Sequence, residues 1–174
     1  DIRRFGDHHR DTKFLIERTT EATGKHYTMA WPSEEQESGR PLKTSPLYAR
    51  LKSGAGCFGS KFGWERPNWF APEGVEPRDK PSYGRANWFE HVAREHRNTR
   101  EAVSLFDESS FAKYLLEGPD AEKALSWICA NDIAVEPGRL VYTQLCNQRG
   151  GIEADLTVCR LAKDEFYIVT GTGS

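Results

Sequence analysis

The segment GGIEADLTV, Gly150–Val158, sets a glycine turn directly before a strand of alternating character. Because neighbouring side chains of a strand point to opposite faces, this strand has an apolar face and a polar face. The apolar face comprises Ile152, Ala154, Leu156 and Val158. The polar face comprises Glu153, Asp155, Thr157 and Cys159. Two interpretations follow: the polar side faces water, or it lines a pocket in which Asp155 is a reactive carboxylate.

Further strands flank this segment on both sides. Alternation predicts a strand over 140–146, and the turns NQRGG and AKDE lead into strands over 152–161 and 166–170. Upstream, residues 111–117 predict a strand and residues 118–132 predict a helix. Helices packed on an antiparallel meander of this kind are typical of the α+β class.

The first part of the chain is less regular. Asp11 is a plausible N-cap for a helix over 11–23, and a second short helix is predicted over 45–54. Residues 57–72, CFGSKFGWERPNWFAP, concentrate aromatic rings between Gly and Pro signals, which predicts packing without a long regular element. A capping-box-like start then predicts a helix over 87–106, with His96 packed on its apolar stripe.

Charge and composition exclude several classes of protein. The 24 Lys and Arg residues nearly balance the 26 Asp and Glu residues, so no electrostatic nucleic-acid binder is expected. No apolar run approaches the roughly 18 residues of a membrane span. The four cysteines form no CxxC pair, and His8 and His9 lack further ligands at suitable spacing. We therefore expect reduced thiols and no metal site, and the two ends of the chain predict a fragment of a longer protein.

A set of motifs in the second half resembles the aminomethyltransferase (glycine-cleavage T-protein) folate-binding domain. The motifs are EHR–x–x–R–E–A from Glu95, FD at 106–107, GPDA from Gly118, ND at 131–132, Y-T at 142–143, N–x–x–GGI from Asn147 and D-L-T-V from Asp155. Together they span residues 95–171, and as a set they are specific, although each piece alone is weak.

The first half resembles a different segment. DIRRFG, MAWPSEE, GRPLKTSPLY, FGWERPNWFAP and GRANWFE are similar to the stretch that joins the flavin domain to the folate domain in the dimethylglycine and sarcosine dehydrogenase family. The resemblance implies a connecting segment over residues 1–84 and the N-terminal part of a folate-binding domain over 85–174. It also implies an upstream FAD domain in the same chain and an electron-transfer protein as partner.

The resemblance implies a two-step activity. The flavin domain would oxidise an N-methyl group of sarcosine or dimethylglycine to an iminium, and the folate domain would pass the one-carbon unit to tetrahydrofolate as 5,10-methylenetetrahydrofolate. By motif, Asp155 corresponds to the catalytic acid of the family, with Ala154 where T-proteins often carry a second acid. The implied folate-binding residues are Phe111, Leu115, Tyr142, Thr157, Cys159, Val169 and Gly171. Gly171 stands where T-proteins often have Asn, so one hydrogen bond to the pterin is missing there.

Two other functions are compatible with the same motifs. The regulatory subunit of pyruvate dehydrogenase phosphatase has a similar domain order without catalysis, and a stand-alone aminomethyltransferase would work with a lipoyl carrier. The retained Asp155 favours an enzyme over the first, and the lead-in segment argues against the second. The expected compartment is the bacterial cytoplasm or the mitochondrial matrix.

Overall fold

The computed structural model describes residues 11–173. The DIRRFG segment and the His8–His9 pair lie outside these residues. Contacts divide the chain into two units, Asp1–Asp107 and Glu108–Ser174. Each unit has its own hydrophobic cluster, and each is described by itself. The predicted domain boundary between residues 84 and 85 stays a prediction.

Within the described residues, five elements form the first unit. They are α1 (Thr12–Gly24), α2 (Tyr48–Ser53), β1 (Gly56–Lys61), β2 (Trp64–Phe70) and α3 (Phe89–Glu101). The predicted N-cap is confirmed, since the Asp11 side chain accepts hydrogen bonds from the amides of Lys13 and Phe14. Such a cap satisfies amides that have no partner inside the helix.

The aromatic segment forms a hairpin. The sequence predicts no long regular element here, whereas the structure pairs β1 and β2 as antiparallel strands of 6 and 7 residues. Phe62 and Gly63 both have positive φ, 50° and 83°, as a two-residue turn matched to strand twist requires. Trp69 is buried between the hairpin and α3 and stacks on His91 at 5.3 Å. The hairpin therefore supplies the core of this unit.

α3 differs from its predicted form in two ways. The periodic pattern continues to about residue 106, but the helix ends at Glu101, where the backbone becomes extended. His96, predicted to pack inward, is exposed, so that prediction is wrong. The helix contacts β2 through Glu95 instead, whose carboxylate accepts a hydrogen bond from the backbone amide of Phe70 at 2.8 Å. Residues at helical spacing identify one side of a helix, but the spacing does not show which of them packs against a neighbouring element.

Glu21 anchors the segment that follows α1. Its carboxylate accepts hydrogen bonds from the Ser38 hydroxyl, from the backbone amides of Glu37 and Ser38, and from the Lys25 ammonium. Burial alone would raise the pKa of Glu21, but these donors outweigh it and lower the pKa from 4.5 to about 2. The charged carboxylate is therefore part of the folded structure of this unit.

We expect the first unit to lose stability as the pH falls from 4.5 to about 2, because the unfolded chain protonates Glu21 in this window and the folded chain does not. The contribution is complete above the unfolded pKa and is lost as the pH falls through the folded one. In thermal unfolding, Glu21→Gln should be less stable than the wild type at pH 7, and the gap should close toward pH 2. Glu17→Gln, on the same helix, is the control. A gap that does not vary with pH would contradict the prediction.

Within the described residues, five further elements form the second unit. They are β3 (Ala112–Glu117), α4 (Ala121–Ile128), β4 (Leu140–Cys146), β5 (Ile152–Ala162) and β6 (Glu165–Thr170). The strands form one antiparallel sheet in the order β3–β6–β5–β4. The predicted α+β class with an antiparallel meander is confirmed. The pairing of β3 with the outer edge of β6 is a long-range contact that local alternation does not predict.

One face of this sheet packs against α4 and the chain that follows it. The buried core comprises Ala121, Leu125, Cys129, Ile133, Leu156, Val158 and Phe166. Of the face predicted as apolar, Leu156 and Val158 are buried, Ala154 is half-buried, and Ile152 is exposed at the start of the strand, where the register with β4 shifts. Arg160 closes one end of the core, where its guanidinium lies over the Phe166 ring at 5.3 Å and pairs with Glu122 at 2.6 Å.

Candidate functional site

The sheet face opposite α4, called the open face below, collects the residues predicted for the folate site. One cross-strand row comprises Lys113, Val169, Thr157 and Tyr142, and the next comprises Leu115, Tyr167, Cys159 and Leu140. On the other side of the first row, Asp155 pairs with Gln144. Phe111 and Gly171 lie directly before β3 and directly after β6, at the Asp155 end of the sheet. The structure thus brings Asp155 and the seven predicted folate-binding residues to one region.

Asp155 is exposed on the open face and is held by a neighbouring side chain. The Tyr142 hydroxyl donates to Oδ2 of Asp155 at 2.9 Å. Within residues 11–173, no donor reaches the other carboxylate oxygen. The backbone is also held, because the Thr170 hydroxyl donates to the Asp155 carbonyl at 2.7 Å. The carboxylate is therefore oriented by the protein and keeps one oxygen for a ligand.

Besides Tyr142, which contacts Asp155, two leucines of the open face are exposed, two cross-strand rows away from Asp155. Tyr142 is 60% exposed, Leu115 is 54% exposed and Leu140 is 67% exposed, although all three lie on a regular sheet. An apolar area of this kind on a sheet is typical of a surface that a ligand or another part of a protein covers. A flat ring system with polar edges would meet apolar side chains across the face and the carboxylate at one end.

The turn between β4 and β5 decides which side chains meet on this face. The side-chain oxygen of Asn147 accepts hydrogen bonds from the backbone amides of Arg149 and Gly151, at 3.0 Å and 2.9 Å. Gly150 has a φ of 79°, and a Cβ at Gly151 would lie 2.9 Å from the Asn147 amide nitrogen. Gly150 is therefore favoured by its left-handed backbone, whereas a side chain at Gly151 would displace the Asn147 amide that holds the turn. The motif N–x–x–GGI fixes the register of the two strands, since in hairpins the turn sets the pairing.

The same turn separates the two acids of β5. Asn147 donates its side-chain amide to Glu153 at 2.7 Å. Glu153 is thereby engaged in the turn, as expected for a neighbour without a catalytic role. Asp155, two residues further, pairs across the strands with Gln144. Gln144 was missed by the reasoning from sequence, although the alternation that puts Tyr142 on the polar face of β4 puts Gln144 there too.

Other reactive groups do not form a competing site among the described residues. No cluster of His, Cys, Asp and Glu could hold a metal ion within residues 11–173. The four cysteines, all within this range, are free thiols. Burial raises the pKa of the Cys57 thiol to about 12, and the nearby Asp79 carboxylate adds to the effect, so Cys57 is a poor nucleophile. In the same range, no helix has the length and apolar character to cross a membrane.

Comparisons with known proteins extend these observations. The family model described as GCVT N-terminal domain matches residues 47–174. The model described as FAD dependent oxidoreductase central domain matches residues 1–45. A solved structure, glycine cleavage system aminomethyltransferase T from Bartonella henselae, aligns with a TM-score of 0.60 and 32% identity, over 76% of this chain and 32% of that chain.

Comparisons with curated relatives support the same family. The chain is 45% identical to 4-methylaminobutanoate oxidase (formaldehyde-forming) from Paenarthrobacter nicotinovorans, over 98% of this chain and 21% of the relative. It is 37% identical to human mitochondrial sarcosine dehydrogenase, over 93% and 20%, and 34% identical to rat mitochondrial dimethylglycine dehydrogenase, over 94% and 19%. The chain thus spans about a fifth of the length of the curated relatives it matches.

The resemblance inferred from the motifs is confirmed by these matches. The larger match covers most of the described residues, including the whole sheet that carries Asp155. The smaller match covers the lead-in segment. The chain belongs to the GCVT N-terminal domain family, in the arrangement with an FAD dependent oxidoreductase central domain that the motifs shared with dimethylglycine and sarcosine dehydrogenases predict.

Proposed function

We propose that the full-length protein is a folate-linked flavoprotein. It oxidises the N-methyl group of an amino acid and transfers the one-carbon unit to tetrahydrofolate, forming 5,10-methylenetetrahydrofolate. The observation that carries the proposal is the Asp155 carboxylate, oriented by Tyr142 and keeping one oxygen for a ligand on an exposed apolar face.

The chemistry requires a base next to a cationic carbon. When the FAD of the upstream domain is bound, it supplies the two-electron oxidation that yields the iminium. An amine of tetrahydrofolate then forms a C–N bond to the iminium carbon, and the second folate amine displaces the demethylated amino acid. The two new C–N bonds release two protons from the folate nitrogens: one leaves on the nitrogen of the departing amino acid, and the other needs a base. Asp155 stabilises the cation and accepts the proton, with Tyr142 keeping the carboxylate in position.

The rest of the open face supplies the binding surface. Leu115, Tyr142 and Val169 lie in two adjacent rows, with the small side chains of Thr157 and Cys159 between them. A pterin ring can lie flat on this surface with its amines toward Asp155. Phe111 and Gly171 border the same end. These binding roles are part of the proposal.

The amine substrate is proposed at the level of its chemical class. Sarcosine and dimethylglycine are the N-methylglycines that the motif resemblance implies, and 4-methylaminobutanoate is named for the relative at 45% identity. All three are amino acids that carry an N-methyl group. The upstream FAD domain of the same chain contributes to the choice among them. An electron-transfer protein is the proposed further partner, and bacterial cytoplasm or mitochondrial matrix is the proposed compartment.

Product analysis of the full-length protein tests the proposal. The oxidation of each of the three amines should be monitored through the reduction of a dye. The products should be measured with and without tetrahydrofolate. We expect free formaldehyde without folate, and 5,10-methylenetetrahydrofolate with less formaldehyde when folate is present. Amine oxidation with formaldehyde as the sole product, at saturating folate, would overturn the transfer step. The absence of amine oxidation would overturn the proposal as a whole.

A further inference from the structure

We infer that the side-chain amide of Gln144 is a specificity-determining group that binds the lactam edge of the pterin ring. The inference rests on the proposed function of the Asp155 site and adds a residue that the motif resemblance does not include. It concerns the row that Asp155 and Gln144 form across β5 and β4.

Gln144 lies beside Asp155 on the open face. The two residues are direct cross-strand partners, so their Cβ atoms are about 5 Å apart. The neighbours of Gln144 along β4 point the other way, since Thr143 is fully buried and Leu145 packs against the core of the second unit. Gln144 is half-exposed. Its side chain therefore leaves the same face as the Asp155 carboxylate, whose second oxygen has no hydrogen-bond partner within residues 11–173.

The Gln144 side chain has no structural task in the part of the chain that the structure describes. Within residues 11–173, its amide makes no hydrogen bond, whereas its backbone carbonyl accepts the amide of Ala130 at 2.9 Å. The side chains of Asn131 and Asn147, by contrast, are occupied by backbone groups and by Glu153. The NH2 donor and the carbonyl acceptor of the Gln144 amide are therefore both available to a ligand on this face.

The chemistry of the pterin ring matches this pair of groups. The ring carries a lactam, with a carbonyl acceptor and an adjacent N–H donor, and the carbonyl lies next to the N5 amine. A carboxamide presents the complementary donor and acceptor. Asp155 can therefore accept a hydrogen bond from the amine while the Gln144 amide forms hydrogen bonds with the lactam. The amide of Gln144 would replace the hydrogen bond that is missing at Gly171, which lies at the same end of the sheet.

Three variants of the full-length protein test this assignment. Gln144→Leu removes both hydrogen bonds, and we expect the Kd of tetrahydrofolate to rise about three- to tenfold, as for the loss of one or two neutral hydrogen bonds. Gln144→Glu keeps the acceptor and loses the donor. It should weaken tetrahydrofolate at least as much as Gln144→Leu does, because its second carboxylate oxygen would face the lactam carbonyl. Gln148→Leu, in the exposed turn after β4, is the matched control. Gln148→Leu should leave both amine oxidation and tetrahydrofolate binding unchanged.

The outcomes separate the inference from the proposed function. If the wild type forms 5,10-methylenetetrahydrofolate and Gln144→Leu binds folate as Gln148→Leu does, Gln144 has no role and the inference is overturned. Tetrahydrofolate binding by Gln144→Glu that equals that of the wild type would also overturn it, because a lactam contact requires the donor that glutamate lacks. If the wild type forms no folate product, the proposed function fails, and this result is seen before any variant is compared.

Discussion

Replacing Asp155 with asparagine in the full-length protein should lower the formation of 5,10-methylenetetrahydrofolate by at least about 100-fold, the lower end for loss of a general base. Amine oxidation should continue, and free formaldehyde should take the place of the folate product. The reason is geometric: the Tyr142 hydroxyl holds one oxygen of this carboxylate and leaves the other for the folate amine. Asparagine keeps the size of the side chain but can neither accept the proton nor stabilise the cation as a carboxylate does.

The matched control is Glu153→Gln. Glu153 lies on the same strand and the same polar face, two residues away, and its carboxylate accepts the Asn147 amide at 2.7 Å. Glutamine preserves that acceptor, so folate product formation should stay within about twofold of the wild type, as for a surface substitution. Rates are compared by quantifying both products in single turnovers. An unchanged folate product in Asp155→Asn would remove Asp155 from the mechanism.

Replacing Phe166 with alanine should lower the free energy of unfolding of the second unit by about 3–5 kcal/mol, the usual cost of a large-to-small change at a buried aromatic residue. Phe166 is fully buried between the sheet and α4. Its ring also supports the guanidinium of Arg160 at 5.3 Å, so the substitution leaves a cavity and removes a cation–π contact. The free energy of unfolding of a unit of this size is small, so the expected loss is a large part of it.

Tyr167→Ala is the control for the face assignment. Tyr167 is the next residue of β6, has a larger side chain and lies on the open face, where it is 38% exposed. Its removal should cost about 1 kcal/mol or less, in line with strand substitutions that leave the core intact. Urea unfolding followed by far-ultraviolet circular dichroism measures both variants. Equal losses would mean that the two faces of the sheet are not distinguished as the structure has them.

Much of the second unit could be predicted from local pattern. The alternation of β5 identifies Leu156 and Val158 as core residues because strand periodicity is a property of the backbone. The glycines of N–x–x–GGI predict the turn because a left-handed backbone, as at Gly150, favours glycine. Predictions were weaker where local rules compete: in residues 57–72, Gly and Pro signals obscure a short hairpin, since a two-stranded sheet tolerates a proline at its edge.

The candidate site was predicted in part. Motif resemblance selects Asp155 among the acids of β5, which stays a prediction, and the structure adds that Glu153 is bound by Asn147 and Asp155 by Tyr142. The role of Tyr142 in holding Asp155 was not predictable, because the contact joins residues on neighbouring strands and depends on the register. Gln144 was missed for the same reason. His96 was misplaced because helical spacing identifies a stripe without identifying what packs against it.

By itself, the sequence determined the α+β class, the polar and apolar faces of β5, the turn before it and the membership of the family. These depend on contacts between residues close together in the chain, where backbone geometry permits few choices. The tertiary structure alone decided that β3 pairs with β6, and that Asp155, Tyr142 and Gln144 meet on one face. The meeting of the three side chains needs the register of β4 against β5, which the N–x–x–GGI turn and burial of the sheet set together. The place of β3 beside β6 is set by burial of the whole sheet against α4 rather than by any single segment.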